Sequence, residues 1–331
     1  MKLIIPMAGM GKRMRPHTLV TPKPLLKIAG LTIIERIILD IKKNSEKSID
    51  EIHFITGNFG KEIKEKLISI AQEMNLKGYI HNQKEALGSA HAVYCAKEAL
   101  KNEVIIAFAD TMFVGKIEIK TDDEAIVWTL SVKNPENYGV VITNEKNFIK
   151  RFSEKPKNKI SDKAIIGIYY FKHAEKLESA IEKIISDNRS VKGEFQLTDA
   201  LQDMCNTGTE FKCKLIKKWL DCGNKEEFLK STESILLNEK HKKIGKNKIY
   251  KVISPVYLGK NCEILNSVVG PYVSIEDNSR IINSKIERSN IGNNSIIESS
   301  SLERSLVGNN TKISNAKGVI NLGDFSEYEG K

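Results

Sequence analysis

Cysteine is scarce in this sequence, and what there is stands far apart. Cys95, Cys205, Cys213, Cys222 and Cys262 include no Cys-x-x-Cys pair, so a zinc site is not expected. An odd number of scattered cysteines reads as reduced thiols, which places the chain in a cytoplasm. No apolar run approaches the roughly 20 residues of a membrane span, and no membrane partner is expected. The N-terminal apolar run Leu3-Ile4-Ile5-Pro6-Met7 leads into glycines and not into a cleavage site, so no signal peptide is expected. Both familiar phosphate loops are missing too. The P-loop pattern would need Gly where Pro6 stands and Ser or Thr in place of Arg13. The dinucleotide fingerprint would need Gly in place of Met14.

The sequence has instead an excess of positive charge: 52 Lys and Arg against 42 Asp and Glu, a formal net charge of +10 over 331 residues. These cations are spread along the chain and aromatics do not interleave them, so nucleic acid is not the expected partner. The densest basic stretch, Lys240 to Lys251, reads as a solvated connector. A positive field favours capture of nucleotides and sugar phosphates.

The opening residues carry the most chemistry. Lys2 to Pro6 reads as a buried strand that stops at Gly9 and Gly11, where backbone N–H groups can approach a ligand closely. Arg13 follows at once. Lys23 lies between Pro22 and Pro24, which predicts an extended, non-helical mount. A backbone cradle, a guanidinium and a stiffly held ammonium at one strand end suit a polyphosphate whose charge grows during reaction.

From residue 1 to 237 strand and helix signals alternate. Thr32-x-x-Glu35 is a capping box ahead of Ile33, Ile34, Ile37, Ile38 and Ile41 on one helical face. Strands are expected at 51–56, 77–81 and 103–108, with helices at 61–74 and 90–100. Further strands are expected at 125–132, 140–143, 148–153 and 164–171, and helices at 175–185, 196–205 and 225–237. This order predicts an α/β fold with a Rossmann-like, mixed but mostly parallel sheet covered on both faces. Ligands of such sheets bind beyond the strands' carboxyl ends, where Gly9–Arg13 and Asp110 fall.

After residue 254 the pattern changes. Leu258, Ile264, Val269, Ile275, Ile281, Ile286, Ile291, Ile297, Leu302, Val307 and Ile313 recur at steps of five or six, and every third step spans 16 or 17 residues. Three short faces per coil with Asn and Gly at the corners predict a left-handed parallel β-helix of about four coils, with a loose tail from Lys317. The expected domains are a catalytic domain at 1–237, a basic connector at 238–253 and the β-helix with its tail at 254–331.

The run Gly9-x-Gly11-x-Arg13-x-x-Pro16, followed by Pro22-Lys23-Pro24-Leu25, resembles the signature of the sugar-1-phosphate nucleotidylyltransferases, in particular long-form glucose-1-phosphate thymidylyltransferases with a C-terminal left-handed β-helix. The resemblance covers most of the chain. It implies the nucleotide-diphospho-sugar transferase fold and the transfer of a nucleotidyl group from an NTP to a sugar 1-phosphate, with loss of pyrophosphate. Arg13 and Lys23 would be the catalytic pair, and Ala8, Gly9, Met10, Gly11 and Lys12 would cradle the nucleotide. Gln83 and Gly88, in Gln83-Lys-Glu-Ala-Leu-Gly88, match the segment that meets the base. Asp110, and Asp221 in Trp219-Leu-Asp-Cys-Gly223, would hold Mg²⁺, a hard cation that takes oxygen ligands. Tyr138-Gly139, Glu154-Lys155, Gly167 with Tyr169, and Glu194 with Thr198 resemble the sugar-phosphate side.

The sequence departs from the family's pattern at Ala8, where Gly is frequent, and near Lys12, where Thr or Ser is frequent. The expected substrates are glucose 1-phosphate with dTTP or UTP. The alternatives are mannose 1-phosphate with GTP and, from another class, a non-catalytic regulatory subunit that kept the fold. Left-handed β-helices often host acyltransferases with a histidine base, but the last histidine is His241, ahead of the repeat. The repeat therefore reads as a module for homo-oligomer assembly or regulation.

Overall fold

The computed structural model describes residues 1–9, 11–239 and 250–330. Met10 and most of the expected connector lie outside the described residues. The chain divides into two compact units: Met1–Gly9 with Ile37–Trp219, and Met10–Arg36 with Leu220–Lys331.

The first unit is built on a nine-stranded sheet. Strands β1 (Lys2–Pro6), β2 (Glu51–Thr56), β3 (Lys77–Asn82) and β4 (Val104–Ala107) are parallel, in the order β3-β2-β1-β4. Strands β5 (Ala125–Ser131), β6 (Gly139–Thr143), β7 (Ile149–Glu154), β8 (Lys163–Phe171) and β9 (Phe211–Leu215) extend it. β8 runs antiparallel to β4, β5 and β6. Ile4, Val104 and Ile106 from β1 and β4 share one core with Leu177, Ile181, Ala200 and Leu201 from helices farther along the chain. Every strand expected from the sequence is present. β9 was missed, because Phe-Lys-Cys-Lys-Leu is short and half charged; Lys212 and Lys214 are tied to the buried Asp123.

Helix α1 (Ile33–Asn44) begins at the expected capping box. Thr32 N donates to Glu35 Oε2 at 2.6 Å and Glu35 N to Thr32 Oγ1 at 3.2 Å, and the five isoleucines are fully buried. Helix α2 is Lys61–Glu73. The helix expected over 90–100 splits into α3 (Ser89–Tyr94) and a 3₁₀ turn at Lys97–Ala99. Among its buried residues Ala90, Val93, Ala96 and Ala99 recur every third position, a period that a tighter turn keeps on one face, with Ala92 and Leu100 buried beside them. Helices α4 (Ala174–Ser186) and α5 (Leu197–Asn206) complete the unit. Among the described residues no helix is long and apolar enough to cross a membrane.

The second unit is dominated by the left-handed parallel β-helix, three sheets of five parallel strands each. The aliphatic columns run in register. Ile264, Ile281, Ile297 and Ile313 stack on one face, and Val269, Ile286 and Leu302 on the second. Ile275, Ile291 and Val307 fill the third. The corners take positive φ, as at Asn266, Asn283, Asn294 and Asn310, where an Asn side chain tolerates the left-handed region.

Two polar columns accompany the apolar ones. Asn261, Asn278, Asn294 and Asn310 pass amide hydrogen bonds up one corner at 3.0–3.2 Å. Ser267, Ser284 and Ser300 each accept the backbone N–H of the coil above. The loose tail expected from Lys317 is instead more β-helix: strands at Lys317–Gly318, Asn321–Leu322 and Glu327–Glu329 pair with the coil before them. The aliphatic rule weakens there, with Gly318 and Tyr328 in core-column positions, but the backbone ladder persists. Helix α6 (Lys225–Asn238) belongs to this unit and is tied to it by Arg288–Glu233 at 2.9 Å and by Arg304–Glu226.

Ile286 is fully buried between Val269 and Leu302. Ile286→Ala is expected to destabilise the β-helix by about 2–5 kcal/mol, read from urea unfolding; an unchanged midpoint would contradict the stacked core.

Candidate active site

In the first unit the predicted residues gather at one edge of the sheet, beyond the carboxyl ends of β1, β3 and β4. Ala8 and Gly9 follow β1. Met7 N donates to Ile55 O at 2.8 Å, and a Cβ on Gly57, after β2, would lie 2.8 Å from Ala8 O. That glycine admits the chain leaving β1. Gln83 follows β3 and is buried. Its Nε2 donates to Gly88 O and to His91 Nδ1, both at 3.1 Å. An amide nitrogen only donates, so His91 Nδ1 is the acceptor and His91 is neutral, in keeping with a pKa lowered by burial. Gly88 has φ +99°, and a Cβ there would meet Phe195 O at 2.5 Å. Its backbone and that of Leu87 are pinned against Glu194–Phe195 by Phe195 N to Leu87 O and Ala90 N to Phe195 O.

Asp110 stands half-buried just past β4. Because Ile168 of β8 lies opposite Ala107, Gly167 falls at the same edge. Its φ is +87° and a Cβ would be 2.9 Å from Thr111 Oγ1. Thr111 Oγ1 in turn donates to Ile166 O at 2.6 Å, which holds the irregular step in β8 between Ile165 and Tyr169. Tyr169 is buried edge-on to Phe108, and burial pushes its phenol pKa upward.

Farther along this edge Glu154 closes β7 opposite Gly139. Glu154 Oε2 accepts from Thr198 Oγ1 at 3.3 Å, and Oε1 is 3.9 Å from Lys155 Nζ. A Cβ on Gly139 would come within 3.0 Å of Glu154 Oε2, so the glycine keeps the carboxylate accessible from that side. Burial raises the Glu154 pKa; Lys155 and Thr198 pull it down while Asp199 and Glu194 push it up. Tyr138 meets Trp219 edge-on at 5.2 Å, and its carbonyl accepts from Lys155 N at 3.1 Å. Tyr138, Gly139, Glu154, Lys155 and Thr198 thus form one cluster around a partly buried carboxylate.

The second unit holds Lys12, Arg13 and Lys23. Gly11 has φ +57°, and a Cβ there would be 3.1 Å from Lys23 Cβ and 3.2 Å from Thr18 Cγ2. The Lys23 stem therefore packs on the glycine turn, and Thr18 Oγ1 secures it by donating to Gly11 O at 2.8 Å. Lys12–Met14 is a single 3₁₀ turn with Met14 buried beneath it and Lys12 and Arg13 exposed. The extended mount expected at Lys23 is not what forms. Lys23–Leu25 is also a 3₁₀ turn, closed by Leu25 N to Pro22 O and Leu26 N to Lys23 O. Pro24 sits where the turn requires no N–H, and the extended backbone is confined to Pro22 and Leu26 on either side of it. Asp221 ends a short strand, and its Oδ1 accepts from Gly223 N at 2.7 Å. A Cβ on Gly223 would lie 3.0 Å from both Arg13 Nη2 and Asp221 Oδ1. The guanidinium and the carboxylate therefore flank one glycine.

Asp110 and Asp221 are both partly buried carboxylates at strand ends. Asp221 is oriented by its bond to Gly223 N, and hard oxygen donors of this kind suit Mg²⁺, which keeps waters and takes its other ligands from phosphate. The sequence assigns no site role to Gly57, Thr18, His91 or Phe195. Of these only Gly57 carried a local signal, at the end of a strand. Thr18 and Phe195 act through backbone bonds, and His91 through its ring bond to Gln83, none of which spacing reveals.

Residues 2–238 match the model of the Nucleotidyl transferase family, and the chain belongs to that family. The bifunctional protein GlmU of Methanococcus maripaludis is 33% identical over 245 residues, 74% of this chain and 56% of that protein. The chain thus spans little more than half the length of the GlmU relatives it matches. A glucose-1-phosphate thymidylyltransferase of Streptomyces antibioticus is 25% identical over 316 residues, covering 87% of this chain and 86% of its own. In fold, the chain is similar to a crystal structure of a putative glucose-1-phosphate thymidylyltransferase from Bacillus anthracis in complex with a sucrose (TM-score 0.62, 24% identity, 74% of this chain and 97% of that one).

The raised Glu154 pKa makes a stability prediction. A carboxyl whose folded pKa is elevated contributes fully below its ordinary value of 4.5 and loses that contribution as pH rises through the folded value. Glu154→Gln is therefore expected to raise the thermal midpoint at neutral pH, with the gain fading below that ordinary value. A gain that grows on acidification would contradict the burial.

Proposed function

We propose that this chain is a sugar-1-phosphate nucleotidylyltransferase that makes an NDP-sugar and pyrophosphate, with glucose 1-phosphate and dTTP or UTP as substrates. The observation that carries the reading is that Arg13 and Asp221 flank Gly223, with Lys23 packed on the Gly11 turn, in a member of the Nucleotidyl transferase family. The choice of sugar and base leans on the Streptomyces antibioticus relative, whose alignment runs beyond the family match into the β-helix. Residues 1–237 would be the catalytic domain and 254–331 a module for assembly into a homo-oligomer or for regulation.

In this mechanism an oxygen of the sugar 1-phosphate attacks the α-phosphorus in line. The bond to the β-phosphate breaks, and pyrophosphate leaves with the electron pair. The nucleophile is already anionic, so the chain need supply no general base; positioning and charge neutralisation suffice. Arg13 binds the departing pyrophosphate and the α-phosphate. Lys23 binds the sugar phosphate or the α-phosphate, and the N–H groups of Gly9 to Lys12 cradle the triphosphate. Gln83 and the Gly88 backbone receive the base. Glu154 accepts sugar hydroxyls, Lys155 takes the sugar phosphate, and Tyr138, Gly139, Gly167, Tyr169, Glu194 and Thr198 shape that side. Asp110 and Asp221 would hold the Mg²⁺ whose charge offsets that of the phosphates.

Pyrophosphate release tests this reading. Arg13→Ala is expected to lower kcat about a hundredfold or more, the scale of one lost preorganised donor; near wild-type turnover would remove Arg13 from the mechanism. In a matrix of four triphosphates against glucose, mannose and N-acetylglucosamine 1-phosphates, glucose 1-phosphate with dTTP or UTP should give the highest kcat/KM. Faster turnover of mannose 1-phosphate with GTP would overturn the substrate assignment, and no release with any pair would overturn the enzyme itself.

A further inference from the structure

On the third face of the β-helix one column runs Ser274, Asn290, Leu306, Asn321, one residue per coil. It lies on the opposite side of the sheet from the neighbouring Ile275, Ile291, Val307 and Leu322, which pack in the core. Three of its four members hold the segment that follows Arg13. Ser274 Oγ accepts from Ala29 N at 3.0 Å, Asn290 Nδ2 donates to Lys27 O at 3.0 Å, and Asn321 Oδ1 meets His17 Nε2 at 2.9 Å. The segment runs against the order of the coils, so the member nearest Arg13 belongs to the coil over 317–329.

That coil contributes little to the apolar stack, because Gly318 and Tyr328 stand in two of its core columns. Its 321–324 corner is instead fitted to residues 16–21. An amide oxygen only accepts, so His17 Nε2 is the donor to Asn321. His17 is 4% exposed, and a ring N–H left without an acceptor at such a depth is costly. Thr21 Oγ1 donates to Asp324 Oδ2 at 3.1 Å, while Asp324 Oδ1 accepts from Asn309 N of the preceding coil at 2.8 Å. A Cβ on Gly323 would lie 3.0 Å from Pro16 Cβ and 3.1 Å from Pro16 O, so the glycine lets the two backbones approach. From His17 the connection to Arg13 is a series of backbone turns: Met14 N to Gly11 O, Arg15 N to Lys12 O, His17 N to Met14 O and Leu19 N to Pro16 O, at 2.8–3.3 Å. Arg13 itself is exposed on the first of these turns, so its placement depends on the backbone beneath it.

We propose that Asn321, with Gly323 and Asp324 beside it, is a positioning residue of the active site: it fixes the His17 ring and, through the turns over 11–19, the Arg13 guanidinium in the attitude that nucleotidyl transfer requires. The effect on turnover rests on the activity proposed above; the contact does not.

The test joins backbone hydrogen exchange to pyrophosphate release, both on the full chain. Asn321→Leu removes the acceptor with a side chain that the same column already carries at Leu306. Exchange reports local opening, and the amides of 14–19 are expected to exchange faster in this variant. Its kcat is expected to fall about tenfold, within the scale of a small misplacement of a reacting group, with KM for the triphosphate little changed. Asn321→Asp keeps an acceptor and should retain wild-type turnover. In an Arg13→Ala background Asn321→Leu should cost less than about twofold more, since residues acting through one group are not additive. Glu327→Ala, on another face of the same coil, should alter neither readout. Unaltered exchange or unaltered kcat in Asn321→Leu, an equal loss in Asn321→Asp, an undiminished loss in the Arg13→Ala background, or the same effects in Glu327→Ala would each overturn the proposal. If the wild-type chain releases no pyrophosphate with any substrate pair, the activity reading falls and the exchange measurement alone decides whether the coil holds the turns. Should Asn321→Leu not fold, Asn321→Ala carries the same expectations.

Discussion

The segment bearing Arg13 and Lys23 is fastened by its backbone to the β-helix. Ala29 N donates to Ser274 Oγ, Gly30 N donates to Glu276 Oε1, and Lys27 O accepts from Asn290 Nδ2. Arg36 closes the stretch from the other side, donating to Ile28 O and Ala29 O while pairing with Glu239 after α6. Gly30 has φ +84°, and a Cβ there would meet the Tyr257 hydroxyl at 2.2 Å; no other residue fits. The Ala29 N–H and the Ile28 and Ala29 carbonyls are buried, so losing their bonds exposes the full desolvation penalty; those of Gly30 and Lys27 are partly buried. The same β-helix holds α6 through Glu233 and Glu226, and α6 follows Asp221. One platform therefore sets both the cations and one of the two acidic groups.

That arrangement explains which parts were legible. The strands of the first unit are runs of Ile and Val bounded by glycines, and their period is local. The β-helix was legible because identical steps of 16 or 17 residues stack identical side chains. The glycines at 11, 88, 139, 167 and 223 were legible as motif positions, and each proves to be a point where a Cβ would collide or occlude. The attachment of 27–30 to 274–290 was not legible. It is made of serine, glutamate and asparagine that look like ordinary coil residues, and it joins parts about 245 positions apart. The Lys23 turn was misread for a related reason: two prolines constrain φ but do not decide between an extended chain and a 3₁₀ turn, which depends on what the following N–H groups can reach. The last coil was misread because two of its three core columns lose their aliphatics, at Gly318 and Tyr328, while the backbone ladder goes on.

Glu154 shows the cost of a polar site built into a core edge. Its carboxylate is held among Thr198, Asp199, Glu194 and Lys155, so the fold maintains an ion that burial disfavours. Groups kept in the less stable protonation state by their surroundings concentrate where binding or chemistry is done. Gly139 belongs to the same bargain: it leaves the carboxylate reachable at the expense of backbone order.

The fastening of residues near 30 to residues near 280 has a bearing on biosynthesis. A ribosome releases the N-terminal stretch first and the coils last. Until the coils that carry Ser274, Glu276 and Asn290 emerge, Lys27–Gly30 lack these partners, although the strands of the first unit are already complete. A nascent or prematurely ended chain would thus present a finished sheet and an undocked loop, vulnerable to proteases and unable to orient Lys23. Synthesis through Asn290 is therefore a condition for docking the stretch that follows Lys23.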